Sequence, residues 1–163
     1  MFHAAIITAS DKGAQGARED VSGQVIREIL EANGYEIVHQ VILPDERAML
    51  AEEMRTICDE GTADLILTTG GTGFSPRDWT PEATLDVIER AVPGIPEAMR
   101  YASLQITKRA MLSRAVAGIR KQTMIINLPG SPKAVRENLE YVISELAHGL
   151  EILRGEASEC ARK

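Results

Sequence analysis

Short runs of apolar, β-favouring residues alternate along this chain with longer stretches whose apolar residues recur every three or four positions. Residues 4–9 form the first run and read as a buried strand. Ser22 can cap a helix to about Ala32, with Val25, Ile26, Ile29 and Leu30 as its buried stripe. Asn33-Gly34 ends that helix, and residues 35–43 read as a second strand. Asp45 is a good N-cap for a helix over 46–60, whose apolar face carries Met49, Leu50, Met54 and Ile57. Residues 65–69 form a third strand. Thr80, as N-cap, and Pro81, at the first helical position, open a helix ending near Arg90. Pro93, Gly94 and Pro96 break the chain before a further helix over 97–107. Residues 110–119 alternate poorly, but Gly118 and Arg120-Lys121 mark a turn into a strand over 122–128. Two strands joined by so short a link must be antiparallel. Ser131-Pro132 opens the best-marked helix, where Val135, Leu139, Val142, Ile143, Leu146, Leu150 and Leu153 hold one face. The order β-α-β-α-β-α-α-ββ-α predicts a three-layer α/β/α fold with a mostly parallel sheet and a short antiparallel excursion. One domain is expected over 1–155, with a polar tail over 156–163 that frays.

Composition narrows the possibilities. The chain has 163 residues, enough for one proper core, and is 44% hydrophobic and 26% charged. A net charge of -6 argues against a general nucleic-acid surface. Cys58 and Cys160 lie far apart with no CxxC, so both thiols are expected free in a reducing cytoplasm. The start has no basic segment of the signal-peptide kind, and no apolar run approaches the roughly 20 residues that span a bilayer. A cytoplasmic protein bound to neither membrane nor nucleic acid is the expectation.

The candidate chemistry sits where strands end. After the third strand come Gly70, Gly71, Thr72 and Gly73, then Ser75, Arg77 and Asp78 ahead of the helix at Thr80. Strand, glycine turn and helix entry is the layout in which main-chain N–H groups face an anion. Pro129-Gly130-Ser131-Pro132 repeats it. Ser10 and Asp11 follow the first strand and Asp45 the second. Right-handed crossovers bring all these loops to one rim of the sheet. Aspartates offer hard oxygens for magnesium, while Lys12, Arg77 and Lys133 could neutralise phosphate. Ser10 and Asp11 read equally well as turn residues. There is no P-loop, no complete GxGxxG, no Gly-x-Ser-x-Gly elbow, no paired histidines and no cysteine ligand set. Glycine amides, aspartates and a few cations without a nucleophile suit phosphoryl or nucleotidyl transfer. A methyl at Gly71 is expected to spare the fold and obstruct the anion.

Thr68-Thr69-Gly70-Gly71-Thr72-Gly73, Arg77-Asp78, Thr80-Pro81-Glu82-Ala83-Thr84, Pro93-Gly94 and Glu97-Ala98-Met99-Arg100 resemble the molybdenum-cofactor biosynthesis family. Pro44-Asp45-Glu46, Ser113-Arg114, Gly118 and the run from Asn127 to Lys133 extend the match from Ile6 to about Leu153. Trp79 departs from the smaller aliphatic residue usual there. The resemblance implies an α/β/α fold, commonly a homotrimer, and points to the adenylyltransferase members. These move AMP from Mg-ATP to the terminal phosphate of molybdopterin, release pyrophosphate, and pass the product on for molybdate insertion. It places the two key acids at Asp45 and Asp78, holding Mg2+. Gly70, Gly71, Thr72 and Gly73 would contact phosphate, and Asn127, Pro129, Gly130 and Ser131 would border nucleotide or pterin. Ser10, Asp11, Arg77, Thr80 and Lys133 complete the candidate substrate contacts. Rival readings are a non-catalytic pterin-binding or scaffold paralogue, a nucleotide pyrophosphatase of the competence-and-damage-inducible type, and a plain flavodoxin-like binding module.

Overall fold

The computed structural model describes residues 1–157. Its strands are β1 (Phe2–Ala9), β2 (Tyr35–Leu43), β3 (Leu65–Thr69), β4 (Arg90–Ala91), β5 (Ala117–Arg120) and β6 (Thr123–Leu128). The helices are α1 (Asp11–Ala14), α2 (Val21–Ala32), α3 (Arg47–Glu60), α4 (Thr80–Leu85), α5 (Gly94–Leu104) and α6 (Pro132–Leu153), with a 3-10 turn at Lys108–Leu112. One sheet runs β2-β1-β3-β6-β5-β4. β2, β1, β3 and β6 are mutually parallel, and β5 runs against both β6 and β4. The expected mostly parallel sheet with an antiparallel excursion is therefore the observed one.

Two cores lie on the two faces, fixed by the period of two along each strand. Ala4, Ile6, Leu65, Leu67 and Ile126 pack with α2, α5 and α6. Ala5, Ile7, Ile66 and Ile125 pack with α3 and α4. Burial on both faces explains why β1, β3 and β6 read as unbroken apolar runs. Cys58 belongs to the second core as a free thiol, its pKa pushed up to about 11 by burial. Cys160 and most of the predicted tail lie outside the described residues.

Several local expectations shift for identifiable reasons. Asp20, not Ser22, caps α2, its carboxylate accepting from the Gly23 N–H at 2.9 Å. The Ser22 hydroxyl instead donates to the Gly130 carbonyl at 2.6 Å. Asp45 does not cap α3, whose capping position is Glu46 with no side-chain bond. Thr80 is the first residue of α4 and not its cap. That helix stops at Leu85 because the sheet takes the chain beyond it. The Glu89 N–H donates to the Ile119 carbonyl at 2.8 Å and the Val92 N–H to the Ala117 carbonyl at 2.9 Å. β4, formed between those bonds, has no local signal. α5 starts earlier than expected, since Pro96 sits in its first turn, where a missing N–H does no harm.

From β1 the chain crosses to β2 on one side, while β3 lies on the other. The crevice between the ends of β1 and β3 is thus a topological switch point. Gly70 and Gly71 turn the chain there with φ of 89° and 71°. A Cβ on Gly70 would stand 2.4 Å from the Ala9 carbonyl oxygen. On Gly71 it would stand 2.3 Å from Thr80 Oγ1, so it would point into the protein and not only toward a ligand. The methyl expected to obstruct the anion would therefore meet Thr80 first.

Gly70→Ala should cost roughly 2–5 kcal/mol of stability, from the left-handed angle plus overpacking against backbone. Gly71→Ala should cost less, because a side-chain hydroxyl can yield where a main-chain carbonyl cannot. Urea unfolding of both variants checks the order; equal losses would contradict it.

Candidate functional site

The strand-ending loops enclose a polar cavity of about 580 Å³ at the switch point. Ser10, Asp45, Gly70, Gly71, Asp78, Gly130 and Ser131 line it, so the predicted residues of four loops do converge. A second, largely apolar cavity of about 290 Å³ opens under α5 and α6. Thr72, Gly73 and Pro129 line that one, together with Pro96, Met99 and Ala115. The backbone from Gly71 to Gly73 therefore forms a ridge with one cavity on each side. Among the described residues, no hydrogen bond engages the N–H groups of Gly71, Thr72 or Gly73. Those donors are available to an anion.

The ridge is stitched to its neighbours. The Thr69 hydroxyl donates to the Pro129 carbonyl at 2.7 Å. The Thr80 N–H donates to the Gly71 carbonyl at 3.1 Å. Asn127 lines neither cavity and is fully buried. Its amide nitrogen donates to Thr68 Oγ1 at 3.0 Å and Thr84 Oγ1 at 2.9 Å, and its oxygen accepts from the Val116 N–H at 3.2 Å. It ties β3, α4 and the approach to β5 together behind the ridge. Lys133 is exposed on the first turn of α6, outside both cavities.

Acids dominate the polar cavity. Asp11 and Asp45 bond reciprocally: each main-chain N–H donates to the other's carboxylate at 2.9 Å. Arg77 reaches over from the glycine loop. Its guanidinium donates twice to Asp11, at 3.1 and 3.0 Å, and to Glu46 at 2.9 Å. The Asp78 carboxylate accepts from the Ser75 N–H at 3.0 Å. Burial, above all, holds the Asp45 carboxyl above its ordinary value; the nearby charges of Asp11 and Asp78 push the same way. The hydrogen bond from Arg77 chiefly holds the Asp11 carboxyl low, helped by the Asp45 main chain.

Asp45 and Asp78 offer a cation only hard oxygen ligands. Thr80 Oγ1, buried behind Gly71 with no hydrogen-bond partner among the described residues, adds an oxygen of the same kind. This donor set fits Mg2+, which binds through one or two carboxylates and completes its shell with phosphate and water. Among the described residues no group of three or more histidines, cysteines or acids could hold a metal unaided.

Some residues of the site had no clear sequence signal. Asp20 lines the polar cavity and accepts from the Thr8 hydroxyl at 2.8 Å, but its type and place also suit a cap. In the apolar cavity, the Ser103 hydroxyl donates to the Asn138 side-chain oxygen at 3.2 Å, and Arg100 donates to the Ala115 carbonyl at 2.9 Å. Ser103 and Asn138 come from helices whose apolar spacing is their conspicuous feature, whereas Arg100 stands in a motif that carries the family resemblance.

Arg77→Ala should let the Asp11 carboxyl titrate closer to its ordinary value, since its largest stabilising bond is lost. Carbon-detected NMR titration of both proteins checks this. No upward movement would mean that the guanidinium does not hold Asp11 in solution.

Comparison with known proteins adds four observations. A family profile described as a probable molybdopterin binding domain matches residues 5–148. The molybdopterin adenylyltransferase of Helicobacter pylori strain J99 is 43% identical over 157 residues, 94% of this chain and 89% of that protein. Its counterpart in Escherichia coli K12 is 41% identical over 140 residues, 84% of this chain and 71% of that protein. The crystal structure of the molybdopterin biosynthesis enzyme MoaB from Thermus thermophilus superposes with a TM-score of 0.90 at 46% identity, covering 98% of this chain and 100% of that one. By profile, by sequence and by fold, the chain belongs to the molybdopterin-binding-domain family of molybdenum-cofactor biosynthesis.

Proposed function

We propose that this protein is a molybdopterin adenylyltransferase of molybdenum cofactor biosynthesis, transferring AMP from Mg-ATP to the terminal phosphate of molybdopterin. The observation that carries the reading is the pair of cavities facing each other across the Gly71–Gly73 ridge. Relatives named for this activity, at 43% and 41% identity, support it. The larger, polar cavity suits the nucleotide. The apolar cavity, edged by Arg100, Ser103 and Asn138, suits a flat heterocycle such as the pterin. Each ring system then lies on its own side, and their phosphates meet at the ridge.

In the reaction, an oxygen of the pterin's terminal phosphate bonds to the α-phosphorus of ATP. The bond from that phosphorus to the bridging oxygen breaks, and pyrophosphate leaves with the electron pair. This chain supplies position and charge stabilisation, not a covalent intermediate. The Gly71, Thr72 and Gly73 N–H groups hold phosphate oxygens where negative charge gathers. Asp45 and Asp78 would hold Mg2+, which, when bound, neutralises phosphate charge. Arg77 exchanges its bonds to Asp11 and Glu46 for bonds to phosphate, keeping its charge matched. Ser10, Ser131 and Gly130 border the nucleotide, and Thr80 keeps Gly71 in place from behind. A cytoplasmic homotrimer that hands its product to a molybdate-inserting enzyme completes the proposal. The exposed apolar residues Tyr101, Leu104, Ile106 and Met111 would suit a contact between copies of this chain.

Incubation with molybdopterin and Mg-ATP, followed by mass spectrometry, tests the reading. Adenylylated pterin and pyrophosphate are expected. Pterin binding without turnover would indicate a non-catalytic paralogue, and AMP release without pterin would indicate a nucleotide pyrophosphatase.

Asp78→Asn and Asp45→Asn should each lower turnover at least about 100-fold. The Asp45 carboxyl is held above its ordinary value, so its ionised form costs the fold stability at neutral pH. Asp45→Asn removes that cost and should melt at the wild-type temperature or above it, the difference shrinking as pH falls through the carboxylate range. A clear loss of stability in Asp45→Asn, with turnover kept, would reduce Asp45 to a structural residue. Calorimetry should also show ATP binding weakly without Mg2+ and at least about tenfold more tightly with it. Binding unchanged by Mg2+ would leave the two carboxylates without a metal to hold.

A further inference from the structure

Arg114 lines neither cavity, although its neighbours Ser113 and Ala115 line the apolar one. It stands on the chain that enters β5, and every bond its side chain makes runs toward the glycine loop or the helix behind it. Nε donates to the Gly73 carbonyl at 2.7 Å, and Nη2 to the Asp78 carbonyl at 2.7 Å. Nη1 donates to the Glu82 carboxylate. The main-chain N–H of Arg114 adds a fourth bond, to the Thr72 carbonyl at 2.9 Å.

Gly73 and Asp78 are the two ends of one loop. Between them Phe74, Ser75, Pro76 and Arg77 are all exposed, so little packing holds the segment. Its own bonds join Ser75 to Asp78 from inside, and Arg77 ties its tip to Asp11 and Glu46, but none of these bonds holds the carbonyls at its two ends. A planar guanidinium donating in three directions does hold them. A lysine, with one ammonium on a flexible stem, cannot reproduce that fork.

We infer that Arg114 is a positioning residue for the transfer. It fixes both ends of the Gly73–Asp78 loop and so sets where the Asp78 carboxylate stands relative to the amides of Gly71 to Gly73. The inference rests on the adenylyl-transfer reading above for its catalytic consequence, but its geometric part stands apart from it. Glu82 forms the third corner, matching the guanidinium charge where both side chains are mostly shielded from water. The same short segment presents Ser113 and Ala115 to the apolar cavity, so the residues that border one cavity are covalently joined to the clamp that shapes the other.

Trp79 provides a readout independent of turnover. It is the chain's single tryptophan, it follows Asp78 directly, and its indole N–H donates to the Pro76 carbonyl at 3.0 Å. The experiment compares wild type, Arg114→Lys and Glu82→Gln, without ligand, by acrylamide quenching of Trp79 fluorescence. The same proteins are then assayed for AMP transfer across a Mg2+ titration, with thermal melting alongside. Arg114→Lys should be quenched more strongly and should lose about 100-fold in kcat, the scale of a 1 Å misplacement. Its Mg2+ requirement for half-maximal rate should rise about tenfold, as when a residue supporting a metal ligand is lost. Glu82→Gln keeps an acceptor and should move all three quantities the same way by less. If Arg114→Lys does not fold, Glu82→Gln decides the question alone. Quenching and Mg2+ dependence equal to wild type would overturn the inference, as would a rate loss that merely follows lowered thermal stability. Should the wild type fail to transfer AMP, the function reading falls, while the quenching comparison still decides whether Arg114 places the loop.

Discussion

Two consecutive left-handed glycines hold the architecture of the rim together. Gly70 lies so close to the Ala9 carbonyl, and Gly71 so close to the Thr80 hydroxyl, that neither position has room for a Cβ. With φ of 89° and 71°, they let β3 end flush against β1 on one side and against α4 on the other. The β6 turn closes over them, Gly130 approaching the Gly70 Cα so nearly that a Cβ on Gly130 would stand 3.5 Å from it.

Charge around the polar cavity follows from that closeness. Asp11, Asp20, Asp45 and Asp78 all stand in or beside it, on a chain whose net charge is already -6. Arg18 lines the cavity, and Arg77, beside it, is held by Asp11 and Glu46. The carboxylates of Asp11 and Asp78 add to burial in holding the Asp45 carboxyl above its ordinary value.

Much of this could be read from the residues. β2 and β3 occupy the predicted positions, because both runs are bounded by turn residues on both sides. Ser131 caps α6 as its type and spacing imply. What could not be read depends on partners far along the chain. β4 exists only because Arg90 meets Ile119 and Ala91 meets Gly118. Whether Asp20 or Ser22 caps α2 is decided by the Gly130 carbonyl, 108 residues from Ser22. Asp45 looked sufficient as a cap until its reciprocal bonds with Asp11 took its carboxylate elsewhere. Asn127 stood in a motif that borders ligands, yet the alternation of β6 turns its amide inward, between Thr68 and Thr84. The motif lies at the rim where the cavities open, but the pleat decides which side chains face them.

The reversed direction of β5 has a consequence for the order in which the protein comes into being. Because β5 runs opposite to its parallel neighbours, its beginning, not its end, lies at the functional rim, and Arg114 arrives there from downstream. Gly73 precedes Arg114 by 41 residues, and Asp78 precedes it by 36. On a chain emerging from the ribosome at roughly 5–20 residues per second, the glycine loop is exposed for seconds before its clamp exists. Through that interval β3 has no β6 beside it either, so a nascent chain holds the sequence of the loop without its folded shape. The rim is complete only once the last strand and the long C-terminal helix are made.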